Sequence, residues 1–142
     1  MLQVKHLLDD KGRDILSITP DSPVIDAIKS MAERRVGALL VMKGDALVGL
    51  ISERDYARNV VLKGRSSAST LVHDIMATDM ITVGPDDSID HCMRLCTKER
   101  VRYLPVVNNG KIVGVISLGD LVKAVISEQT EQIEQLHRYI AG

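Results

Sequence analysis

Two short segments carry the residue types best suited to chemistry: Ser52-Glu53-Arg54-Asp55 and Ser117-Leu118-Gly119-Asp120. Each follows a glycine and two aliphatic residues, Gly49-Leu50-Ile51 or Gly114-Val115-Ile116, the pattern of a strand running into a helix. At such a junction the helix N-terminus offers backbone N–H groups and the positive end of its dipole, a ready site for a phosphate. The hydroxyl of Ser52 or Ser117 can donate to a phosphate oxygen. Asp55 or Asp120, one turn further on, only accepts hydrogen bonds and suits two vicinal ribose hydroxyls. A hydrogen bond to a charged group contributes about 1.5–3 kcal/mol, and a micromolar ligand needs about 8 kcal/mol. The aspartate could therefore supply much of the specificity but not all of the affinity. The same spacing also serves plain capping, with the serine as N-cap and the aspartate complementing the dipole.

Other chemistry finds little support. Cys92 and Cys96 stand at helical i, i+4 spacing, but there is no further cysteine, and His91 points to a different helix face. They read as buried apolar thiols in a reducing, cytoplasmic setting. His6, His73 and His137 fall in separate segments without ligand spacing, so no metal site is expected. The chain has no Gly-rich P-loop, no H-E-x-x-H and no G-x-S-x-G, and Asp86-Asp87 reads as a helix start. No catalytic residue, catalytic cofactor or enzymatic activity is expected. Eighteen basic against nineteen acidic residues give a formal charge of −1, with no Phe, no Trp and three Tyr. That balance lacks the basic stripe and aromatic platform of a nucleic-acid binder. Arg34-Arg35 and Arg100-Val101-Arg102 still suit small anions. No apolar run approaches the ~20 residues of a membrane span, and Met1 to His6 lacks the apolar stretch of a secretory signal.

The elements that must position the two segments come as a repeat. At one constant offset Pro20-Asp21 falls on Pro85-Asp86, Arg35-Val36 on Arg100-Val101, Leu39 on Leu104 and Val41 on Val106. Val48-Gly49 likewise falls on Val113-Gly114, Ile51-Ser52 on Ile116-Ser117 and Asp55 on Asp120. Each copy reads as β-α-β-β-α. A short β-run (15–18; 80–83) ends at Pro-Asp, and a helix follows, with Val24, Ala27, Ile28, Met31 and Ala32, or Ile89, Cys92, Met93 and Cys96, at helical spacing. A buried strand (38–42; 103–107), a turn at Lys43-Gly44-Asp45 or Asn108-Asn109-Gly110, and a return strand (47–51; 112–116) lead to the final helix, capped by Ser52 or Ser117. The expected organisation is a first repeat over 1–62, a linker loop over 63–71, a second repeat over 72–127 and a helical tail over 128–142. Ile126, Ile133, Leu136 and Ile140 give the tail one apolar stripe, suited to ordinary packing or to a partner chain.

At this level the chain resembles paired cystathionine-β-synthase (CBS) domains, the Bateman module. The resemblance rests on Leu39-Leu40-Val41, Val48-Gly49-Leu50-Ile51-Ser52-Glu53-Arg54-Asp55, Tyr103-Leu104-Pro105-Val106-Val107 and Val113-Gly114-Val115-Ile116-Ser117-Leu118-Gly119-Asp120. With the strands at Ser17 and Thr82 it covers about Val4 to Ile126. It implies an α/β fold in which two pseudo-symmetric repeats pack through their sheets and leave two clefts. It also implies association of two modules through their helices into a homodimer, and adenine or adenosyl ligands: AMP, ADP, ATP, NAD or S-adenosylmethionine. By the same resemblance Ser17 serves the Asp120 cleft and Thr82 the Asp55 cleft. Arg102 and Tyr103 occupy a position of cationic or polar phosphate contacts, where the first copy has Gly37 and Ala38. Arg54 could grip a phosphate bidentately where the second copy has Gly119, and Arg58 reads as surface charge. The implied function is a non-catalytic regulatory module signalling to a regulated partner protein. The alternative is a structural or interaction module without a nucleotide.

Overall fold

Aliphatic residues at i, i+3 and i+4 in 24–34 and again in 89–99 need one buried face, and β-branched runs need the pleated surface that covers it. The computed structural model, which describes residues 2–12 and 14–141, builds both copies on that logic. In chain order the elements are α1 (Val4–Lys11), β1 (Ser17–Ile18), α2 (Val24–Arg34), β2 (Ala38–Lys43), β3 (Ala46–Ser52) and α3 (Glu53–Tyr56). A π-helical turn (Ala57–Val61) continues α3. Then come α4 (Val72–Ile75), α5 (Ile89–Glu99), β4 (Tyr103–Asn108), β5 (Lys111–Ser117) and α6 (Leu118–Ala141).

The described residues form two compact units: 14–81 with 109–112, and 2–12 with 82–108 and 113–141. In the first unit β1 pairs parallel with β2, Ser17 opposite Leu40, and β2 pairs antiparallel with β3. A register shift between Val41 and Met42 bends that hairpin. Val24, Ala27 and Met31 of α2 close over Leu39, Val41 and Ile51, with Val60, Val72 and Ile75 completing the core. β4 and β5 pair as a hairpin turned by Asn109 (φ 53°) and Gly110 (φ 77°), and β4 to 108 with β5 from 113 onward belong to the second unit. Two successive positive φ angles are what a tight primed turn requires, and Asn-Gly supplies them. Ile89, Cys92 and Cys96 are buried there with Leu104, Val106, Ile116 and Leu121.

Helices α2 and α5 stop in the same way. Arg35 and Arg100 adopt the left-handed conformation, each at φ 55°. The N–H of the following valine then reaches back five residues, Val36 to the Met31 carbonyl (3.0 Å) and Val101 to that of Cys96 (3.2 Å). The repeated Arg-Val pair is thus a helix stop.

The structure corrects the sequence reading in several places. The β-run expected over 80–83 reduces to one parallel bridge, Val83 to Val106, so Thr82 lies outside any strand. Only Ser17 and Ile18 of the 15–18 run are paired. Two short helices went unforeseen, α1 and α4. Each completes the unit of the other repeat: α1 sits with 82–108, and α4 with 14–62. Glycines admit them. A Cβ on Gly114 would lie 2.7 Å from Leu8 Cδ2, and one on Gly49 would lie 2.5 Å from Met76 Sδ and 3.0 Å from the Ala77 carbonyl. The expected tail is the unbroken continuation of α6. Its last buried residue is Ala124, and among the described residues Ile133, Leu136 and Ile140 stay 55%, 56% and 73% exposed.

Candidate nucleotide site at the two strand-to-helix junctions

β3 ends on Ser52 and β5 on Ser117, where the backbone leaves extended geometry for a helix. In both copies the first turn folds into a capping box. Asp55 donates its N–H to Ser52 Oγ at 3.2 Å, and its Oδ2 accepts the Ser52 N–H at 2.9 Å. Asp120 donates to Ser117 Oγ at 3.0 Å and accepts the Ser117 N–H at 2.8 Å through Oδ2. The capping reading of Ser-x-x-Asp is therefore realised in the chain itself. The first helical N–H is also taken: Glu53 donates to the Gly37 carbonyl (3.0 Å) and Leu118 to that of Arg102 (2.8 Å). Of the first-turn amides expected to face a phosphate, those of Ser52, Glu53 and Asp55, and of Ser117, Leu118 and Asp120, are thus taken within the chain.

The copies diverge beyond the box. Ser52 is buried and its hydroxyl donates to Asp55 Oδ2 at 2.9 Å, which closes the first junction on itself. At the second junction Lys11, the last residue of α1, places Nζ 2.7 Å from Asp120 Oδ2 and 2.9 Å from the Val115 carbonyl. Burial pushes the Asp120 carboxyl up, but the Lys11 hydrogen bond, the Ser117 N–H and the Lys11 charge outweigh it and hold its pKa below the ordinary value. The helices differ as well. α3 is a single turn passing into a π-turn, whereas α6 runs for 24 residues and presents a full dipole.

The second unit gathers four of the expected residues. Arg102, Tyr103, Ser117 and Gly119 line one open groove of about 750 Å3, alongside Lys123 and Ser127. Asp120 lines a neighbouring cavity of about 240 Å3 with Lys11, His6, Asp10 and Lys123. In the first unit Gly37 lines a groove of about 600 Å3 with Arg35, Glu53 and Tyr56, while Ala38 is buried in β2. Arg54 and Asp55 are half-buried on the first turn of α3, and Ser17 and Thr82 are exposed. Lys11 was missed. It lies 109 residues from Asp120 in sequence, and no spacing rule links two such positions.

The remaining titratable candidates behave as packing. Cys92 and Cys96 are buried and unpaired with one another, and burial pushes the Cys92 thiol up to about 11, helped by the Asp87 and Cys96 charges. Burial alone raises Cys96. Among the described residues no group of three or more His, Cys, Asp or Glu is arranged to hold a metal ion.

Comparison with known proteins now adds to this geometry. A model of the CBS domain matches the chain twice, over residues 5–62 and 72–127. The chain is a member of the CBS domain family. A CBS-domain protein from Burkholderia ambifaria shares 50% identity and superposes with a TM-score of 0.87, covering 90% of this chain and 96% of that one. The mitochondrial CBS domain-containing protein CBSX3 of Arabidopsis thaliana is 40% identical over 98% of this chain and 72% of its own. The CBS domain pair of protein MJ0100, solved with 5′-methylthioadenosine and S-adenosyl-L-methionine, shares the fold at TM-score 0.79 and 20% identity, over 90% of this chain and 98% of that one. The α/β fold is that of a tandem CBS pair, and the family is regulatory in general. Among the described residues no helix is long and apolar enough to cross a membrane.

Proposed function

We propose that this CBS pair is a non-catalytic regulatory module that takes an adenine nucleotide or adenosyl ligand at its Ser-x-x-Asp junctions and signals to a partner protein. The observation that carries the reading is the groove of the second unit, where Arg102, Tyr103, Ser117 and Gly119 converge beside the N-terminus of a long helix. Arg102 supplies a cation for phosphate, Tyr103 a polar aromatic surface, and Asp120 an acceptor for ribose hydroxyls. The MJ0100 pair, with its adenosyl compounds, supports the ligand class. In this reading the second copy is the principal site. At the weaker Asp55 site Arg54 is the available cation. AMP, ADP, ATP, NAD and S-adenosylmethionine are the ligands to try. The buried thiols suit a reducing compartment such as the cytoplasm.

Calorimetric titration of the purified chain with these five compounds tests the proposal. Micromolar binding of one of them, lost in Asp120→Ala and retained in Asp55→Ala, supports a nucleotide sensor with its main site in the second unit. No binding across the panel, by protein shown free of co-purified ligand, rejects it.

A second reading draws on a separate observation. The exposed stripe Val122, Ile126, Ile133, Leu136 and Ile140 of α6 suits association with another copy, giving an interaction module with or without ligand. Ile133→Glu should then shift a dimer towards monomer in sedimentation velocity. An unchanged sedimentation coefficient would remove α6 from the interface.

A further inference from the structure

We infer that Lys11 is an internal occupant of the Asp120 site, a cation that a ribose-bearing ligand must displace and whose release frees the end of α1. The inference rests on the reading that Asp120 receives the ribose. Asp120 Oδ2 already accepts two donors, Lys11 Nζ at 2.7 Å and the Ser117 N–H at 2.8 Å. Two donors fill the lone pairs of one carboxylate oxygen. A vicinal diol gripping both oxygens therefore needs the place that the ammonium holds.

The first copy shows what a permanent arrangement looks like. Leu50, which matches Val115, exchanges two backbone hydrogen bonds with Ala77, each 2.9 Å. At Val115 the carbonyl is instead bonded by Lys11 Nζ at 2.9 Å. A backbone bridge gives way only with the fold, whereas an ammonium on a four-carbon stem leaves by rotating its own side chain. The cavity of about 240 Å3 beside it, lined by Asp10 and Ser127 among others, gives the head room to move and polar groups to meet.

Lys11 also closes α1. The start of that helix is fixed independently: Val4 N–H donates to the Asp87 carbonyl, Lys5 N–H to that of Pro85, and the Lys5 ammonium lies 3.1 Å from Asp86. Leu8 is fully buried against Gly114. Losing the Lys11 contacts leaves these in place and loosens the end of the last turn, residues 10–12. Ligand at Asp120 is thereby coupled to a movable segment of the chain.

The test uses the full chain and adenosine, which carries the diol without a phosphate, in parallel with AMP. Lys11→Met should bind adenosine about three- to tenfold more tightly than the wild type, the scale of one partly exposed, charge-assisted contact. In an Asp120→Ala background the Lys11→Met substitution should have no effect. Raising ionic strength should tighten adenosine binding to the wild type, by screening the internal pair, and leave Lys11→Met unmoved. Adenosine should also lower amide-exchange protection at residues 10–12 in the wild type, and in Lys11→Met that protection should already be low. Lys11→Gln replaces Lys11→Met if the latter fails to fold, and Lys11→Arg should behave as wild type. Equal or weaker binding by Lys11→Met, with Asp120→Ala still abolishing it, overturns the inference and leaves the ligand reading standing. Failure of every variant to bind adenosine or AMP overturns both.

Discussion

The two copies share a strand, a serine and an aspartate, yet their junctions are wired differently. In the first, the strand next to Gly49 is held by a backbone bridge between Leu50 and Ala77, and Asp55 is locked by both polar groups of Ser52. In the second, the strand next to Gly114 is held by a side chain, Lys11, that reaches the Val115 carbonyl and Asp120 together. Backbone pairing makes the first junction a fixed part of the fold. Side-chain pairing makes the second exchangeable. A repeated motif therefore does not imply a repeated function: the residues around it decide whether it is a cap or a site.

The largest expected effect falls on the glycines. Gly49→Ala drives a methyl into Met76 and the Ala77 carbonyl and should cost about 2–3 kcal/mol in urea unfolding. Gly114→Ala meets only the Leu8 side chain and should cost less, about 1–2 kcal/mol. A larger loss at Gly114 would reverse the contrast between fixed and yielding junctions.

Lys11→Met comes next, with a loss of about 0.5–1.5 kcal/mol at neutral pH, kept small because the pair is about one-third exposed to screening solvent. Its signature is in the acid limb. A carboxyl whose folded pKa is depressed contributes stability that is present above its ordinary value of 3.8 and is lost as pH falls through the lowered one. Wild-type stability should therefore fall more steeply than that of Lys11→Met below about pH 4. Parallel pH profiles would show that Lys11 does not set the Asp120 ionisation.

Thiols sharpen the comparison further, since the second copy has Cys92 and Cys96 where the first has Ala27 and Met31. With Cys92 pushed up to about 11, the folded protein should resist iodoacetamide at pH 8 and become labelled only on unfolding, as mass spectrometry would read. Rapid labelling of the folded chain would mean that the core of the second unit opens readily.

The smallest effect belongs to the helix stops. Arg35→Gly and Arg100→Gly each relieve a left-handed conformation and should add up to about 1 kcal/mol. Loss of stability in either would show that the arginine side chain does more than end its helix.

The repeat, the hairpins and the long helices were legible because each is written in local chemistry. Alternating and 3.6-residue patterns, Asn109-Gly110, and serines ahead of helices are visible within a few residues. Ser52 and Ser117 were recognised as caps on the same grounds. What escaped depends on pairs distant in sequence. α1 has only Val4 and Leu8 as buried residues, too few for a periodic signal, and its placement with the second copy is a tertiary choice. The strand around Thr82 failed for the converse reason: its residues suit a strand, but only Val83 finds a pairing partner. Lys11 carries no mark that separates it from the seventeen other basic residues until the fold brings it to Asp120.

The unbroken course of α6 has a mechanical consequence. From Ala124, its last buried residue, to Ala141 the helix advances about 26 Å without a break. A tilt of about 10° at its base would carry the tip sideways by about 4–5 Å, given that rise per residue. The same rod begins at Leu118, directly after Ser117, and carries Asp120 in its first turn. A small adjustment at the junction would therefore reach the tip of the tail as a displacement of about 4–5 Å.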